Sequence, residues 1–392
     1  MKKKAIPLYL FSSFMIMSNQ ALFPVLPMIR DEISVSYSQI SIFVASLGIV
    51  RLFLAFPCGF LADRFDKKKL FLLGGFLNVS GLVFLSYSHT IFQLIVSRVL
   101  IGAGLVIVNI TIMVVLAQMA SPNSKGAMMS MNNVIHSAGG IISPALAGIL
   151  AGRYNWRLPF LVVAGLILLS MIILAETFTD QRSDYKRTKD EGGEETKSYL
   201  KKNSKAGFLK LLPVFAVSLF VFFYRSGFRS ILIPFYGKDV FHIGVETLGL
   251  YISLTGCIAI FSTFTFGFMS DRYGRKTALI PGILFSTVAV IALFLPRELN
   301  PLLMACIFVG VGATMNSMPN ILISDLVPPG SFGRTMGINR IFGDSGYFLG
   351  PLIVGSLMDQ FGFKMPLYML AGFSVFALIV ACFSVHNKPG KS

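Results

Sequence analysis

Twelve long apolar runs, separated by short polar or Gly/Pro clusters, constrain this chain more than any other feature of its sequence. Each run is about long enough to cross the ~30 Å hydrocarbon core of a bilayer as a helix. With 54% hydrophobic and 13% charged residues, the 392-residue chain is far more apolar than a soluble protein, in which about a quarter of residues are charged. The sequence therefore predicts an all-α membrane protein. The predicted spans, numbered 1 to 12, are 5–28, 38–62, 70–88, 91–118, 128–151, 156–176, 209–237, 246–270, 277–295, 299–326, 334–358 and 364–386.

Positive charge predicts how the spans are oriented. A net charge of +16 would favour a nucleic-acid partner in a soluble protein, but a chain this apolar belongs in a lipid bilayer, so no nucleic acid is expected. About 23 of the 34 Lys and Arg fall on the side of Lys2–Lys4, against about six on the other side and about five inside spans. Because cytoplasmic loops carry the excess of Lys and Arg, both termini are predicted to be cytoplasmic, in a plasma membrane. The first run lacks a convincing signal-peptide cleavage site and is expected to remain as span 1.

One polar segment divides the spans six and six. It runs from Glu176 to Gly207, is highly charged and has few large apolar residues, so it is predicted to be a cytoplasmic linker. The predicted organisation is an N-terminal six-helix bundle over residues 1–176, a linker over 177–208 and a C-terminal six-helix bundle over 209–392.

The two halves repeat each other. "YNWRLPFLVVAG", from Tyr154, aligns with "FGFKMPLYMLAG", from Phe361, at an offset of 207 residues, and Pro27 aligns with Pro234 at the same offset. "GFLADRFDKKK", from Gly59, recurs as "GFMSDRYGRK" from Gly267 at an offset of 208. Such a pattern predicts two parallel repeats related by an axis along the membrane normal.

This recurring stretch resembles the G-x-L-x-D-R-x-G-R-K signature of the major facilitator superfamily, and the resemblance extends over essentially the whole chain. It implies two pseudo-symmetric six-helix bundles and a role for the signature in latching the cytoplasmic gate. Asp66 stands where the signature has glycine, whereas the second copy keeps Gly274. A glycine at position 59 would let two helices approach closely. The alternative is that the basic residues only fix topology. The candidate gating residues are Gly59, Asp63, Arg64, Gly267, Asp271 and Arg272.

Two further segments resemble those of twelve-helix drug:proton antiporters and imply export. "PVLP" at Pro24–Pro27 is similar to the end of their helix 1, and "GGIISPALAG" at Gly139–Gly148 is similar to their helix 5 motif, with serine and alanine in place of two glycines. "GYFLGPLIVG" is its counterpart in span 11. Proline removes a helix hydrogen bond and glycine permits close packing, so Pro144 and Pro351 are hinge candidates. Ordinary small-residue packing is the alternative.

Six charged residues fall inside the predicted spans, where each is costly and therefore a functional candidate. Arg98 opens "RVLIGAG", which resembles the helix 4 motif of proton-coupled members of the family and implies a role in proton coupling. Asn109 lies on nearly the same helical face and could line a cavity with it. Alternatively, Arg98 reaches the membrane surface. The six are Arg51, Arg98, Arg225, Arg229, Arg340 and Asp344.

Arg225 and Arg229 are four residues apart and share a face of span 7. Like charges at this spacing repel unless an anion or a carboxylate lies between them, so an anionic partner is expected. Arg229 could instead reach the membrane surface.

Asp344 is the one carboxylate deep in the predicted spans. It could pair with Arg51 across the two halves, releasing that partner on protonation, or form a structural pair with Arg340 one turn away. His136 is a titratable candidate for proton coupling, with an interhelical hydrogen bond as the alternative. Further polar residues that could line a cavity or join helices are Asn19, Gln20, Asn132 and Asn133.

Together these features predict a secondary transporter. An enzyme is not expected: "GDSG" lies within a span and no metal-ligand motif occurs, so neither a cofactor nor a metal is predicted. The four cysteines all lie in or beside spans and are expected to pack as small apolar residues. The favoured function is proton-coupled export of small amphipathic compounds, including anionic ones such as drugs or metabolites, by a monomer. Proton-coupled uptake of an organic solute is the alternative.

Overall fold

The computed structural model describes residues 2–119, 125–178, 211–327 and 329–384. Within these ranges the chain forms twelve long helices and no strand. Eleven are long and apolar enough to cross a membrane, and α9 is a shorter apolar helix. The all-α multi-pass membrane architecture is confirmed. The helices are α1 (Lys2–Gln20, continued after Ala21 by Leu22–Ile33), α2 (Tyr37–Arg64), α3 (Lys67–Ser86), α4 (Ile91–Met119), α5 (Lys125–Arg153), α6 (Leu158–Thr177), α7 (Leu211–Val240), α8 (Val245–Tyr273), α9 (Lys276–Ala292), α10 (Pro301–Leu326), α11 (Pro329–Phe361) and α12 (Lys364–Ser384).

Each helix corresponds to one predicted span, with ends that differ by a few residues. The clearest correction concerns α1, which continues through Arg30, Asp31 and Glu32 to Ile33 rather than ending at residue 28. Hydropathy places a span end where charges begin, but these three side chains all form ion pairs. Most of the predicted linker lies outside the described residues. For the first six helices, we call the membrane face at which α1 begins the near face, and the face at which it ends the far face.

Packing divides the described chain into two compact units. The first unit contains α1–α6 together with Ser230–Gly256, which is the second part of α7 and the first part of α8. In it, α4 packs against α2 and α3, and α1 packs against α5 and α6. The second unit contains the rest of α7 and α8 with α9–α12, and α9 packs there against α10 and α12. The predicted domain boundaries at residues 176 and 208 stay predictions.

The sequence repeat reappears as a repeated helix crossing. Where α3 crosses α4, a methyl group on Gly104 would overlap the carbonyl oxygen of Gly74. Where α9 crosses α10, a methyl group on Gly312 would lie 2.9 Å from the carbonyl oxygen of Gly282. The two pairs are equivalent under the offset of 208 residues. Glycine at these positions lets the helix backbones touch.

Candidate functional site

The two copies of the signature loop differ because their backbones differ. At the start of α3, the Asp66 carboxylate accepts a hydrogen bond from the Lys69 N–H at 3.0 Å and caps the helix. Asp66 has a φ of −58°, which any residue adopts, whereas Gly274 in the second copy has a φ of +99°. Glycine is favoured only in the second copy, since side chains disfavour positive φ. Asp66 therefore replaces the signature glycine without strain and gains a capping role.

The expectation that Gly59 allows close helix approach is wrong for this structure. A methyl group on Gly59, or on Gly267 in the second copy, would meet nothing within 4 Å. The helices at these points are too far apart for the absence of a side chain to matter. Arg64 is exposed, with its guanidinium 4.0 Å from the ring centre of Phe60, and the side chain of Asp63 lies outside the described residues. The gating roles of these residues stay predictions.

Arg275, which the sequence reasoning did not single out, joins two helices in the second copy. Its Nη1 lies 2.5 Å from Asp271 Oδ1 on α8, and its Nε lies 2.6 Å from Asp325 Oδ2 on α10. The hydrogen bonds to Asp325 and Asp271 raise the pKa of Arg275. Arg272 is exposed. The sequence could have indicated this bridge, because the signature contains Arg275 and span 10 ends with the carboxylate of Asp325.

Arg98 is held inside the first unit. Its side chain is 1% exposed, and its Nη2 donates to Asn19 Oδ1 on α1 at 2.7 Å. The guanidinium also lies 5.8 Å from the ring centre of Phe43. The alternative in which Arg98 reaches the membrane surface is therefore excluded. Asn109, on the same helix, is exposed, and its role in lining a cavity with Arg98 stays a prediction. A shared helical face predicts direction, but not which neighbouring helix covers each residue.

Polar and small residues of α5 pack against α1. His136 Nδ1 and Ser12 Oγ are hydrogen bonded at 3.0 Å, which is the interhelical contact that the sequence left as an alternative to proton transfer. The Ser143 hydroxyl donates to the Met17 carbonyl at 2.8 Å, and a methyl group on Gly139 would overlap Ser13. The "GGIISPALAG" segment thus brings these helices into contact.

The remaining polar candidates on α1 and α5 separate into buried and exposed ones. Gln20 and Asn132 are buried, and within the described chain neither Gln20 Oε1 nor Asn132 Oδ1 accepts a hydrogen bond. Asn133 is exposed. Buried polar atoms without partners are costly, so Gln20 and Asn132 are the stronger binding candidates.

Arg225 and Arg229 both lie in an unusual segment of α7. Residues Arg225–Leu232 form a π-helix, a conformation that often marks functional sites. Gly227, between the arginines, packs against α11, where an added methyl group would lie 2.9 Å from the Gly350 carbonyl oxygen. Arg229 Nε is buried and donates no hydrogen bond to any residue that the structure describes. Periodicity placed the arginines on one face, but it gave no signal for the π-helix.

Asp344 is 2% exposed on α11, and its Oδ2 lies 3.4 Å from Arg340 Nε. The Arg340 side chain is 46% exposed. The contact that the sequence offered as a structural alternative is therefore present, although it is long. Arg51 is half-buried on α2 in the first unit, and its pairing with Asp344 stays a prediction.

The two hinge candidates lie in closely packed helices. Beside Pro144, the Ala145 N–H donates to Ser253 Oγ on α8 at 2.9 Å, and a methyl group on Gly249 would overlap the Pro144 carbonyl oxygen. Pro351 is buried in α11, next to a Gly350 that packs on α7. The small residues thus serve close packing, and a hinge motion stays a prediction.

Twelve apolar helices in two repeats, with charged residues buried among them, are the arrangement typical of secondary transporters. Residues 8–295 and 214–392 match the profile of the Major Facilitator Superfamily, and the chain belongs to this family. The predicted family and the two-domain fold that characterises it are thereby confirmed. Within the described residues, no group of three or more His, Cys, Asp or Glu is placed to hold a metal ion.

Relatives and solved structures match the chain along its whole length. It is 24% identical to the quinolone resistance protein NorA of Staphylococcus aureus strain COL, over 99% of this chain and 98% of that protein. It is also 24% identical to the hexuronate transporter of Bacillus subtilis strain 168, over 99% and 96%. Its fold is similar to the crystal structure of a D-xylose-proton symporter, with a TM-score of 0.79 at 16% identity, covering 99% and 98%.

Proposed function

We propose that this protein is a proton-coupled exporter of small amphipathic organic compounds, including anionic ones. It acts as a monomer in the plasma membrane, with both termini cytoplasmic. Its halves form six-helix bundles that expose a central compartment to each side in turn. The observation that carries the proposal is the set of arginines inside a fold whose whole length matches the quinolone resistance protein NorA.

Proton coupling is supported by the carboxylate buried in α11. Asp344 is 2% exposed, and carboxylates inside membrane-spanning helices mark proton and ion pathways in transporters. Arg51 is the partner that protonation of Asp344 would release. His136 and Arg98, which contact α1 through Ser12 and Asn19, are the further candidates for coupling.

The preference for anionic or zwitterionic solutes is supported by the π-helical segment of α7. Two arginines in one short segment repel each other, and a bound anion relieves that repulsion. The Arg229 Nε, which is unbonded within the described chain, is available as a donor to a carboxylate or phosphonate. One relative is named for hexuronate, an organic anion.

Uptake by proton symport is the second candidate, because a D-xylose-proton symporter shares the fold. Fold similarity at this level of identity carries no information on direction. The antiporter-like segments around Pro24 and Pro144 favour export. The two candidates differ in the gradient that drives accumulation, so one assay separates them.

The test is transport into proteoliposomes under an imposed pH gradient. The panel contains a zwitterionic fluoroquinolone, a hexuronate, neutral D-xylose and the cation tetraphenylphosphonium. An exporter that exchanges protons accumulates the first two when the lumen is acidic, and it accumulates the cation poorly. Accumulation driven only by an acidic exterior would overturn export in favour of symport.

Two variants sharpen this assay. Asp344→Asn should abolish gradient-driven accumulation but keep exchange of labelled for unlabelled substrate, which needs no net proton movement. Loss of both activities in a folded variant would remove Asp344 from proton coupling. Arg229→Gln should reduce transport of anions more than that of neutral solutes, whereas an equal loss for both would contradict an anion site on α7.

A further inference from the structure

A cluster of charged residues joins the far end of α1 to the C-terminal end of α7 within the first unit. Because it contacts α1 there, we call this the far end of α7. Arg30 Nη1 lies 2.7 Å from Asp239 Oδ2, and the Tyr37 hydroxyl donates to the same oxygen at 2.7 Å. Lys238 Nζ forms an ion pair with Asp31. We call these five residues the far-face cluster. It connects the first repeat to the second through two ion pairs and a hydroxyl.

The Arg30–Asp239 pair is more sheltered than an ordinary surface pair. The two side chains are 16% and 18% exposed. The Arg30 guanidinium lies 4.5 Å from the ring centre of Tyr37 and 5.3 Å from that of Phe235. A second bond, from Arg30 Nη2 to Asp239 Oδ1 at 3.3 Å, makes the contact bidentate. Sheltered, bidentate and stacked arginine pairs hold more strongly than solvated ones.

The neighbouring Glu32 anchors the α1 side of the cluster. Trp156 Nε1 donates to Glu32 Oε2 at 2.5 Å, and Arg157 Nη1 lies 2.5 Å from Glu32 Oε1. Both partners belong to the connection between α5 and α6. Consecutive residues of α1 therefore face two ways: Glu32 binds its own repeat, while Arg30 and Asp31 bind the end of α7. A displacement of α7 would break the contacts that Arg30 and Asp31 make with it, and would leave the contacts of Glu32 with Trp156 and Arg157 intact.

The duplication explains why opposite charges meet here. The offset of 207 residues that aligns Pro27 with Pro234 also aligns Asp31 with Lys238 and Glu32 with Asp239. Identical residues there would place like charges together. This chain has an aspartate and a lysine instead, which converts a repulsive position into an ion pair.

A second layer of contacts within the first unit joins the start of α8 to α5. Beyond the end of α7, the first part of α8 packs against α5 through Gly249, with no room for a side chain. Ser253 accepts the hydrogen bond from the Ala145 N–H. The far-face cluster and this crossing thus hold the same stretch of chain, Ser230–Gly256, against the first repeat.

We propose that the far-face cluster is the latch of the far-side gate. It keeps the far end of α7 and the start of α8 against α1 and α5, and it must open for substrate to pass on that side. The inference rests on the proposed alternating access. The contacts within the far-face cluster, among Arg30, Asp31, Tyr37, Lys238 and Asp239, supply free energy that favours the state with the far face closed.

The test measures access to position 253 with a membrane-impermeant maleimide. The background replaces the four native cysteines by serine, and Ser253→Cys is the reporter, buried at 8% exposure. A second variant carries Arg153→Cys as its only cysteine. Because Arg153 is exposed at the far end of α5, its labelling shows in which preparation the reagent reaches the far face. Intact cells and inverted vesicles are compared. No substrate or gradient is needed, so failure of the latch is distinguishable from failure of export.

Lys238→Asp places two aspartates at the equivalent positions and should raise the labelling rate from the far face about tenfold. The swap Asp31→Lys with Lys238→Asp restores opposite charges and should return the rate to that of the parent. Arg153→Asp makes the same charge change outside the cluster and should leave the rate unchanged.

Three results would overturn the proposal: labelling unchanged by Lys238→Asp, a swap that labels as fast as the single variant, or an equal increase with Arg153→Asp. Should Lys238→Asp fail to fold, Lys238→Gln and Asp239→Asn remove attraction without adding repulsion. Both should raise the labelling rate several-fold, and unchanged rates in these two variants would equally contradict the latch.

Discussion

At the scale of single residues, the environment of Arg98 shows what a sequence can and cannot predict. The cost of charge in a membrane identified Arg98 as significant from its position alone. Its partner Asn19 lies 79 residues away on another helix, and periodicity relates residues only within one helix. The same limit applies to Asn109, which shares the direction of Arg98 but not its burial.

Asn19→Ala should lower the free energy of unfolding by about 1 to 3 kcal/mol, because a buried guanidinium loses its hydrogen bond to α1. Asn109→Ala removes the same side-chain type from an exposed position and should change it by less than about 0.5 kcal/mol. Equilibrium unfolding in mixed detergent micelles measures both. Equal effects for the two variants would mean that the Arg98–Asn19 bond contributes no stability of its own.

At the scale of elements, hydropathy was sufficient to find each long helix that the structure describes, but not every helix end. The spans follow from the length of apolar chain that a bilayer requires, which is a local property. The extension of α1 to Ile33 depends on partners at Trp156, Arg157 and the end of α7, so a local rule could not predict it. The π-helix of α7 packs on α11 at Gly227, a contact between helices that no pattern within one helix predicts.

The two signature loops give a prediction at this scale. Gly274→Asp puts a side chain at a φ of +99° and should destabilise the protein by about 1 to 3 kcal/mol. The reverse exchange, Asp66→Gly, loses only the cap of α3 and should cost a few tenths of a kcal/mol, whereas Asp66→Ala should cost about 1 kcal/mol. Thermal unfolding of the purified variants measures their order of stability. A Gly274→Asp variant as stable as Asp66→Gly would refute the backbone explanation.

At the scale of the whole molecule, the duplication was predictable from the sequence because aligned segments recur at offsets of 207 and 208 residues. The repeated α3–α4 and α9–α10 crossings fit it. The far-face cluster was not predicted, although the same alignment pairs Asp31 with Lys238. The signal was available there, but contact between the two positions follows only from the three-dimensional arrangement.

The repeated crossing predicts how the molecule tolerates new methyl groups. Gly104→Ala should destabilise by about 2 kcal/mol or more, because backbone atoms of Gly74 and Asn78 limit the space. Gly312→Ala should cost less, since its nearest neighbour is the movable Ser286 hydroxyl at 2.6 Å and its nearest backbone atom lies 2.9 Å away, against 2.4 Å at Gly104. Gly165→Ala on α6 meets nothing within 4 Å and should be neutral or slightly stabilising. Unfolding midpoints in detergent test this order, and a destabilised Gly165→Ala would contradict it.

The central claim is that one compartment opens to the two faces in turn, and a two-sided labelling experiment tests it most directly. Gln20→Cys on α1, in the cysteine-free background, is exposed to an impermeant maleimide first from the far face and then from the near face. Adding Lys238→Asp should raise labelling from the far face and lower labelling from the near face, because a shift toward one state depletes the other. Labelling that rises from both faces together would contradict alternating access and indicate an open pore.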